Sequence, residues 1–169
     1  MLRTRRSVRS YSSEPIPEEK LRNVLEAARI APSGGNRQPW KFIVVRDEEL
    51  KRRVAEACNN QMFISEAPVV IVACGRDIGH NRGGYMGSLS MVMDVSIAVT
   101  HIILAARAEG LGTCWIGAFN NEKVKEVLDI PQQYDVVAVT PLGYPKGEAF
   151  TESKRRKSLE EIVCYEKFS

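Results

Sequence analysis

The sequence predicts one domain, residues 1–169, in which helices and β-strands are mixed along the chain. The chain has 169 residues, of which 44% are hydrophobic, enough for one compact domain with a core and too few for two. An unbroken apolar run at 69–73 predicts a strand covered on both faces. A long apolar stretch from about Leu89 to Glu109 predicts a buried helix. No repeat or linker divides the chain.

The first half of the chain carries signals for helices that alternate with strands. Prolines and acids at 15–19 open a helix whose apolar residues recur at helical spacing to Ala31. Residues 40–46 read as a strand, and Asp47 is the expected N-cap of a helix that ends near Cys58.

In the second half, the long apolar helix should end at Gly110, which stands where a helix commonly closes. Residues 112–117 predict a short strand or extended turn, Asn120 caps a further helix, and 136–143 form the last clear strand. The tail after Lys157 suits a short helix or an arm packed on a neighbour because it carries apolar residues: Leu159, Ile162 and Val163.

Composition excludes several classes of protein. The formal net charge is only +3, from 24 basic and 21 acidic residues, so no nucleic-acid partner is expected. The N-terminus has no apolar segment of a signal peptide, and the long helix contains charged residues, so a membrane partner is not expected either. The cysteines lie far apart, which indicates reduced thiols and a cytoplasmic location: Cys58, Cys74, Cys114 and Cys164.

Few residues are equipped for catalysis by the side chains themselves. The chain has two histidines, His80 and His101, which gives little support for a metal site, and none is expected. It lacks the nucleophile elbow, the P-loop and the dinucleotide fingerprint. A cofactor with its own reactivity explains this scarcity, since the protein then only binds, orients and polarises it.

Two basic runs stand at opposite ends of the chain. Arg5, Ser7 and Arg9 alternate, so that they can share one side of an extended segment and offer guanidinium and hydroxyl donors to a phosphate. The second run covers 154–157. Each run alone is also compatible with a solvated basic terminus, and that alternative weakens if both runs meet at one phosphate.

A polar loop follows the first helix. Pro32 to Asn36 provides small residues and exposed backbone that a flat ring can approach, and the amides of Asn36 and Gln38 suit ring carbonyls or ribityl hydroxyls. The same loop is equally compatible with a plain turn between helix and strand.

Three motifs in register resemble the FMN-dependent nitroreductase family. They are Arg5-Arg6-Ser7-Val8-Arg9 with Tyr11, then Ala-Pro-Ser-x-x-Asn-x-Gln-Pro-Trp at 31–40, and Gly-Leu-Gly-Thr-Cys-Trp-Ile-Gly at 110–117. The resemblance covers nearly the whole chain. It implies an α+β nitroreductase-like fold, with a mostly antiparallel central sheet flanked by helices and a long buried central helix. It also implies an interlocked homodimer with FMN sites at the subunit interface.

The resemblance also implies roles for individual residues. One subunit would hold the FMN phosphate and pyrimidine edge. The partner's loop and an amide near residue 60 would reach the flavin. A backbone segment would lie beside the flavin ring. The residues concerned are Arg5, Arg6, Ser7 and Arg9 with Lys154 or Arg156; Pro32, Ser33, Gly34, Asn36 and Gln38; Asn60; and Trp115, Ile116 and Gly117. For pocket lining we name Arg82, Tyr85 and Phe119, for which surface-loop or core positions are the alternatives.

The chain departs from the family pattern in two places. Only 77–88 fills the interval where longer members insert a helical excursion over the flavin, and Gly34-Gly35 replaces bulkier hydroxyl residues in the loop. Substrate selection is therefore the least transferable property.

The implied function is an FMN-dependent oxidoreductase. NADH or NADPH would reduce the flavin, and a small-molecule acceptor such as a nitroaromatic, a quinone or a free flavin would reoxidise it in a ping-pong cycle. One alternative is a flavin-dependent dehydrogenase or dehalogenase of a specific metabolite. A more distant one is a non-catalytic nucleic-acid-binding module.

Overall fold

The structure is a computed structural model, and it describes residues 1–79, 87, 89–153 and 155–168. The strands are β1 Trp40–Val45, β2 Val69–Gly75, β3 Gly112–Thr113 and β4 Asp135–Gly143. The helices are α1 Glu18–Arg29, α2 Glu48–Ala57, α3 Phe63–Glu66, α4 Ser90–Ala108 and α5 Asn121–Val127.

The four strands form one antiparallel sheet in the order β1-β2-β4-β3. At the centre of this sheet, Val72 of β2 pairs with Ile43 of β1 and with Val139 of β4. All seven residues of β2 are buried, as the apolar run at 69–73 predicts, because helices and loops cover both faces. The α+β class with an antiparallel central sheet is thereby confirmed.

The long helix α4 packs against α1 and against the sheet. Within the part of the chain that the structure describes, α4 is the helix long and apolar enough to span a bilayer by length and composition. Its inner face is buried, but Val92 and Ile97 on the outer face are 41% and 36% exposed. One face of this helix is therefore buried within the single chain, as predicted, and the outer face is left uncovered there.

Predicted helix ends agree with the structure. The Asp47 side chain accepts a hydrogen bond from the Leu50 amide at 2.8 Å, and Asn120 accepts one from the Lys123 amide at 3.0 Å. After α4, Gly110 has a φ of 78°, which lets the Leu111 amide bond back to the Ala106 carbonyl at 2.8 Å.

The tail differs from the expectation of a short helix. Residues 155–168 form no helix, and one turn is closed by the Ile162 amide on the Leu159 carbonyl at 3.1 Å. Its apolar side chains point away from the core of their own chain, and Phe168 is fully exposed. Of the two alternatives, the short helix is wrong, because the apolar residues have no surface of their own chain to pack against; an arm that packs on a neighbouring molecule stays a prediction. The short α3 has no counterpart among the predicted elements.

The N-terminal segment runs along the sheet at its β3 edge. Ser7 forms a parallel bridge with Thr113, and the Val8 amide donates to the Thr113 carbonyl at 2.9 Å. Tyr11 is buried, and its hydroxyl donates to the Val8 carbonyl at 2.7 Å. Burial raises the pKa of this phenol far above its usual range, so the hydroxyl remains a donor. The segment is thus fixed on both sides of Val8.

Contact between this segment and β3 depends on a glycine. A Cβ on Gly112 would lie 2.7 Å from Cγ2 of Val8, which is too close for two carbon atoms. Val8 is buried and β-branched, so it has little freedom to move aside.

We expect Gly112→Ala to destabilise the fold by about 1–3 kcal/mol, the usual cost of overpacking a buried contact. Urea denaturation followed by circular dichroism measures the change. Gly117→Ala is the matched control, since its added Cβ would approach no atom more closely than Trp115 Nε1 at 3.7 Å. Equal stability of the two variants would contradict the tight contact between Gly112 and Val8.

Candidate functional site

Both basic runs line one cleft, which we call the arginine cleft. It has a volume of about 250 Å³, and its lining comprises Arg5, Arg6, Ser7, Arg9, Ser153, Arg155 and Arg156. Five guanidinium groups and two hydroxyls therefore face one small space, and every one of them can donate a hydrogen bond to an oxyanion. The alternative of two separate solvated termini is not what the structure shows.

Arg107, at the end of α4, connects the two ends of the chain beside this cleft. Its guanidinium donates from Nη2 to the Thr4 hydroxyl at 2.9 Å and lies 4.0 Å from the centre of the Phe150 ring. Thr4 precedes the first basic run, and Phe150 precedes the second. Arg107 therefore holds the segments on which the two runs lie at a fixed separation.

Cys114 lies behind the arginine cleft and is 2% exposed. Burial raises the pKa of its thiol, while the charges of Arg9 and Arg5 and a hydrogen bond with Ser7 act in the opposite direction. Ser7, Arg5 and Arg9 therefore lie near Cys114, the residue that follows β3.

The loop after α1 is held by a buried carboxylate. The Gly34 amide donates to Oδ1 of Asp94 on α4 at 3.0 Å, and Asp94 is 3% exposed. The Gln38 amide donates to the Ser33 hydroxyl at 2.9 Å, and the Gln38 side chain donates to Oδ1 of Asn36 at 3.1 Å. The loop is therefore built as a rigid turn, with small residues at its surface.

This loop is separate from the arginine cleft of the same chain. None of the residues predicted in it, from Pro32 to Gln38, belongs to the lining of that cleft. Pro32, Asn36 and Gln38 are exposed, whereas Ser33 and Gly34 are half-buried. The structure thus does not bring the two predicted groups together within one chain.

The segment Trp115–Gly117 begins two residues after the end of β3, so it lies close to the N-terminal segment. The Ile116 amide donates to the Val139 carbonyl at 2.9 Å, and Ile116 is buried. The Ile116 N–H is therefore committed to the sheet and is not an available donor for a ligand. Gly117 is exposed and has no Cβ, which makes its amide the accessible one, while Trp115 is 37% exposed beside it.

The other predicted residues are dispersed. Asn60 has a φ of 57° and lies in a groove between α2 and α5, away from the arginine cleft. Its neighbour Gln61 instead reaches the residue after the segment Trp115–Gly117, since its Nε2 donates to the Ala118 carbonyl at 3.3 Å. Phe119 packs against the core. Arg82, Tyr85 and Lys154 lie outside the described residues.

Sequence reasoning missed three residues of this region. Ser153 and Arg155 line the arginine cleft. Arg155 could have been predicted there because it belongs to the second basic run. Asp94 supports the loop, and its signal was a single acid within an apolar helix. Among the residues that the structure describes, no cluster of three metal-ligating side chains occurs.

Comparison with known proteins gives consistent matches. The profile of the nitroreductase family matches residues 2–86 and 59–144. A relative from Archaeoglobus fulgidus, provisionally named NADH dehydrogenase/NAD(P)H nitroreductase, is 41% identical over 152 residues, which cover 88% of this chain and 85% of that protein. Iodotyrosine deiodinase 1 of Mus musculus is 28% identical over 195 residues, which cover 96% and 67%.

Solved structures of other proteins superpose on this chain over nearly its whole length. A nitroreductase family protein from Clostridium difficile 630 superposes with a TM-score of 0.87 at 34% identity, covering 99% of this chain and 96% of that one. An FMN-dependent nitroreductase from Clostridium difficile R20291 gives a TM-score of 0.86 at 28% identity, covering 99% and 98%. The family profile spans most of the chain and the fold is shared from end to end, so this protein belongs to the nitroreductase family and is an oxidoreductase.

Proposed function

We propose that this protein is an FMN-dependent NAD(P)H oxidoreductase that reduces nitroaromatic, quinone or flavin acceptors by a ping-pong mechanism. The observation that carries the proposal is the arginine cleft, where both ends of the chain present cationic donors to one small space. The names of two relatives, an NAD(P)H nitroreductase and an FMN-dependent nitroreductase, support the same cofactors.

The residues of the arginine cleft fit the phosphate of FMN. A phosphate monoester carries nearly two negative charges and three acceptor oxygens, and guanidinium forks match such oxygens in pairs. Ser7 and Ser153 add neutral donors at the same place. A terminal phosphate in the cleft would neutralise charges that otherwise repel one another across a short distance.

The segment Trp115–Gly117, which we call the ring-side segment, fits the other end of the cofactor. Thr113 pairs with Ser7, so the chain passes from the arginine cleft to Gly117 within four residues of β3. The accessible Gly117 amide would be a donor near flavin N5, where it can stabilise the reduced ring. When bound, FMN supplies the two-electron chemistry. The chain itself binds the phosphate, orients the ring and provides this donor, and no side chain needs to act as an acid.

Three features support a homodimer in which each site is shared. The Pro32–Gln38 loop lies away from the arginine cleft of its own chain, the outer face of α4 exposes Val92 and Ile97, and the tail exposes apolar side chains. A second copy would cover the exposed apolar surface and bring its loop to the first copy's cleft. The buried thiols suit a reducing compartment, and we propose a cytoplasmic location.

The resemblance to iodotyrosine deiodinase favours one second candidate, a reductive dehalogenase of a small halogenated phenol. Steady-state turnover with a panel of nitroaromatics, quinones, flavins and halogenated phenols separates the two functions. Turnover restricted to the halogenated phenols would favour the second candidate.

The purified protein should be yellow with FMN and should bleach when NADH or NADPH is added without oxygen. Absorbance spectra of the protein as purified, and during nicotinamide titration, measure both properties. A protein that stays colourless and unreactive after reconstitution with FMN would falsify the proposal.

Replacing Arg5 and Arg9 by alanine should weaken FMN binding. A charge-assisted hydrogen bond contributes about 1.5–3 kcal/mol, and the exposed Arg9 belongs at or below the lower end of this range. The half-buried Arg5 alone should therefore account for about a tenfold loss of affinity. Equilibrium dialysis of FMN measures the change. Arg22→Ala/Arg29→Ala on α1 removes the same charge elsewhere, and equal weakening in both double variants would show a general charge effect.

Shared sites should be recoverable by mixing two defective variants. Arg5→Ala/Arg9→Ala loses the cationic donors, and Gly34→Phe fills the space where the ring approaches the loop. If each site takes arginines from one chain and the loop from the other, subunit exchange restores about a quarter of the sites, because each mixed dimer contains one intact site. FMN bound after exchange measures the recovery. No recovery, in a mixture shown to exchange subunits, would mean that each chain builds its own site.

A further inference from the structure

A second cleft adjoins the arginine cleft, and we call it the outer cleft. It has a volume of about 540 Å³ and is lined by Leu2, Arg3, Arg5, Glu152, Ser153, Arg156 and Lys157. Arg5, Ser153 and Arg156 belong to both clefts, so the two form one continuous cationic surface. Arg3 and Lys157 line only the outer part.

Charge on this surface exceeds what one phosphate neutralises. Among the described residues, seven cationic side chains line the two clefts and Glu152 is the single carboxylate. A dianionic phosphate in the arginine cleft leaves a large positive excess on the outer side. Within the described part of the chain, no ion pair involves Arg3 or Lys157. The outer cleft is therefore suited to a second anionic group.

The direction of the chain gives the order of these sites. Ser7 pairs with Thr113 in parallel, so residues before Ser7 extend away from the residues that follow Thr113. Gly117 lies on one side of this bridge, and Arg3 lies on the opposite side. The ring-side segment, the arginine cleft and the outer cleft thus follow one another in that order. A ligand that reacts at the ring and reaches the outer cleft has to be longer than FMN itself.

A nicotinamide dinucleotide has that length, and in its phosphorylated form it carries a phosphate monoester at the far end. A free flavin that stacks on the bound ring ends at about the same place as the bound cofactor, so it does not reach as far. We propose that the outer cleft binds the 2′-phosphate of NADPH through Arg3 and Lys157 and so makes NADPH the preferred electron donor. This inference rests on the proposed function, because it requires FMN in the neighbouring cleft.

The first experiment measures kcat/KM for NADPH and for NADH on holoenzyme saturated with FMN. Arg3→Ala/Lys157→Ala should lower kcat/KM for NADPH by roughly tenfold, as expected for two exposed charge-assisted contacts, and leave NADH unchanged. Arg22→Ala/Lys41→Ala, which removes the same charges from α1 and β1, should leave both values unchanged. An unchanged NADPH to NADH ratio in the first variant, with FMN still reduced, would overturn this inference and leave the proposed function intact.

The second experiment identifies the phosphate that is recognised. We expect 2′,5′-ADP to compete with NADPH more strongly than 5′-ADP, an inhibitor of similar charge, and this advantage should disappear in Arg3→Ala/Lys157→Ala. Equal inhibition by the two compounds, or by pyrophosphate at the same concentration, would show a general anion surface and would overturn the inference. Failure of both nicotinamides to reduce the flavin in wild-type holoenzyme contradicts the proposed function instead.

Discussion

The site depends on the backbone pairing between the N-terminal segment and β3. Two consecutive features fix it: the bridge between Ser7 and Thr113, and the approach of Val8 to Gly112. Without that pairing, the arginines at 5–9 would be an unrestrained basic terminus, and chain entropy would oppose any ordered arrangement of their side chains. This segment has few apolar residues, and it is ordered because Val8 and Tyr11 are buried on either side of the charged Arg9.

Local sequence signals were enough for most of the secondary structure. The burial of β2 follows from five consecutive apolar residues, and the ends of α2 and α5 follow from Asp47 and Asn120, whose short polar side chains satisfy amides three residues on. The short α3 had no such signal. The partner of the outer face of α4 could not be predicted, because an apolar residue such as Ile97 indicates that something covers it and not which molecule does so.

The candidate site was predictable in part, for a different reason. Arginines and a serine in alternation indicate an anion site by their chemistry alone, and their convergence with Arg156 is a tertiary result that only the resemblance implied. The hydrogen bond from the Ile116 amide to the Val139 carbonyl depends on strand pairing. The contact of Gln61 with the Ala118 carbonyl depends on a turn. Spacing along the chain contains no information about either, so the structure was needed to distinguish Gly117 and Gln61 from their neighbours.

The arginine cleft joins two segments about 145 residues apart in the chain, Arg9 and Ser153 being at its two sides. An anion bound there holds the two ends of the folded chain together and releases them when it dissociates. A ligand that binds only the folded chain also stabilises it in proportion to the logarithm of its concentration. The cofactor would then be part of the protein's architecture, and cellular FMN supply would set both the activity and the lifetime of the folded enzyme.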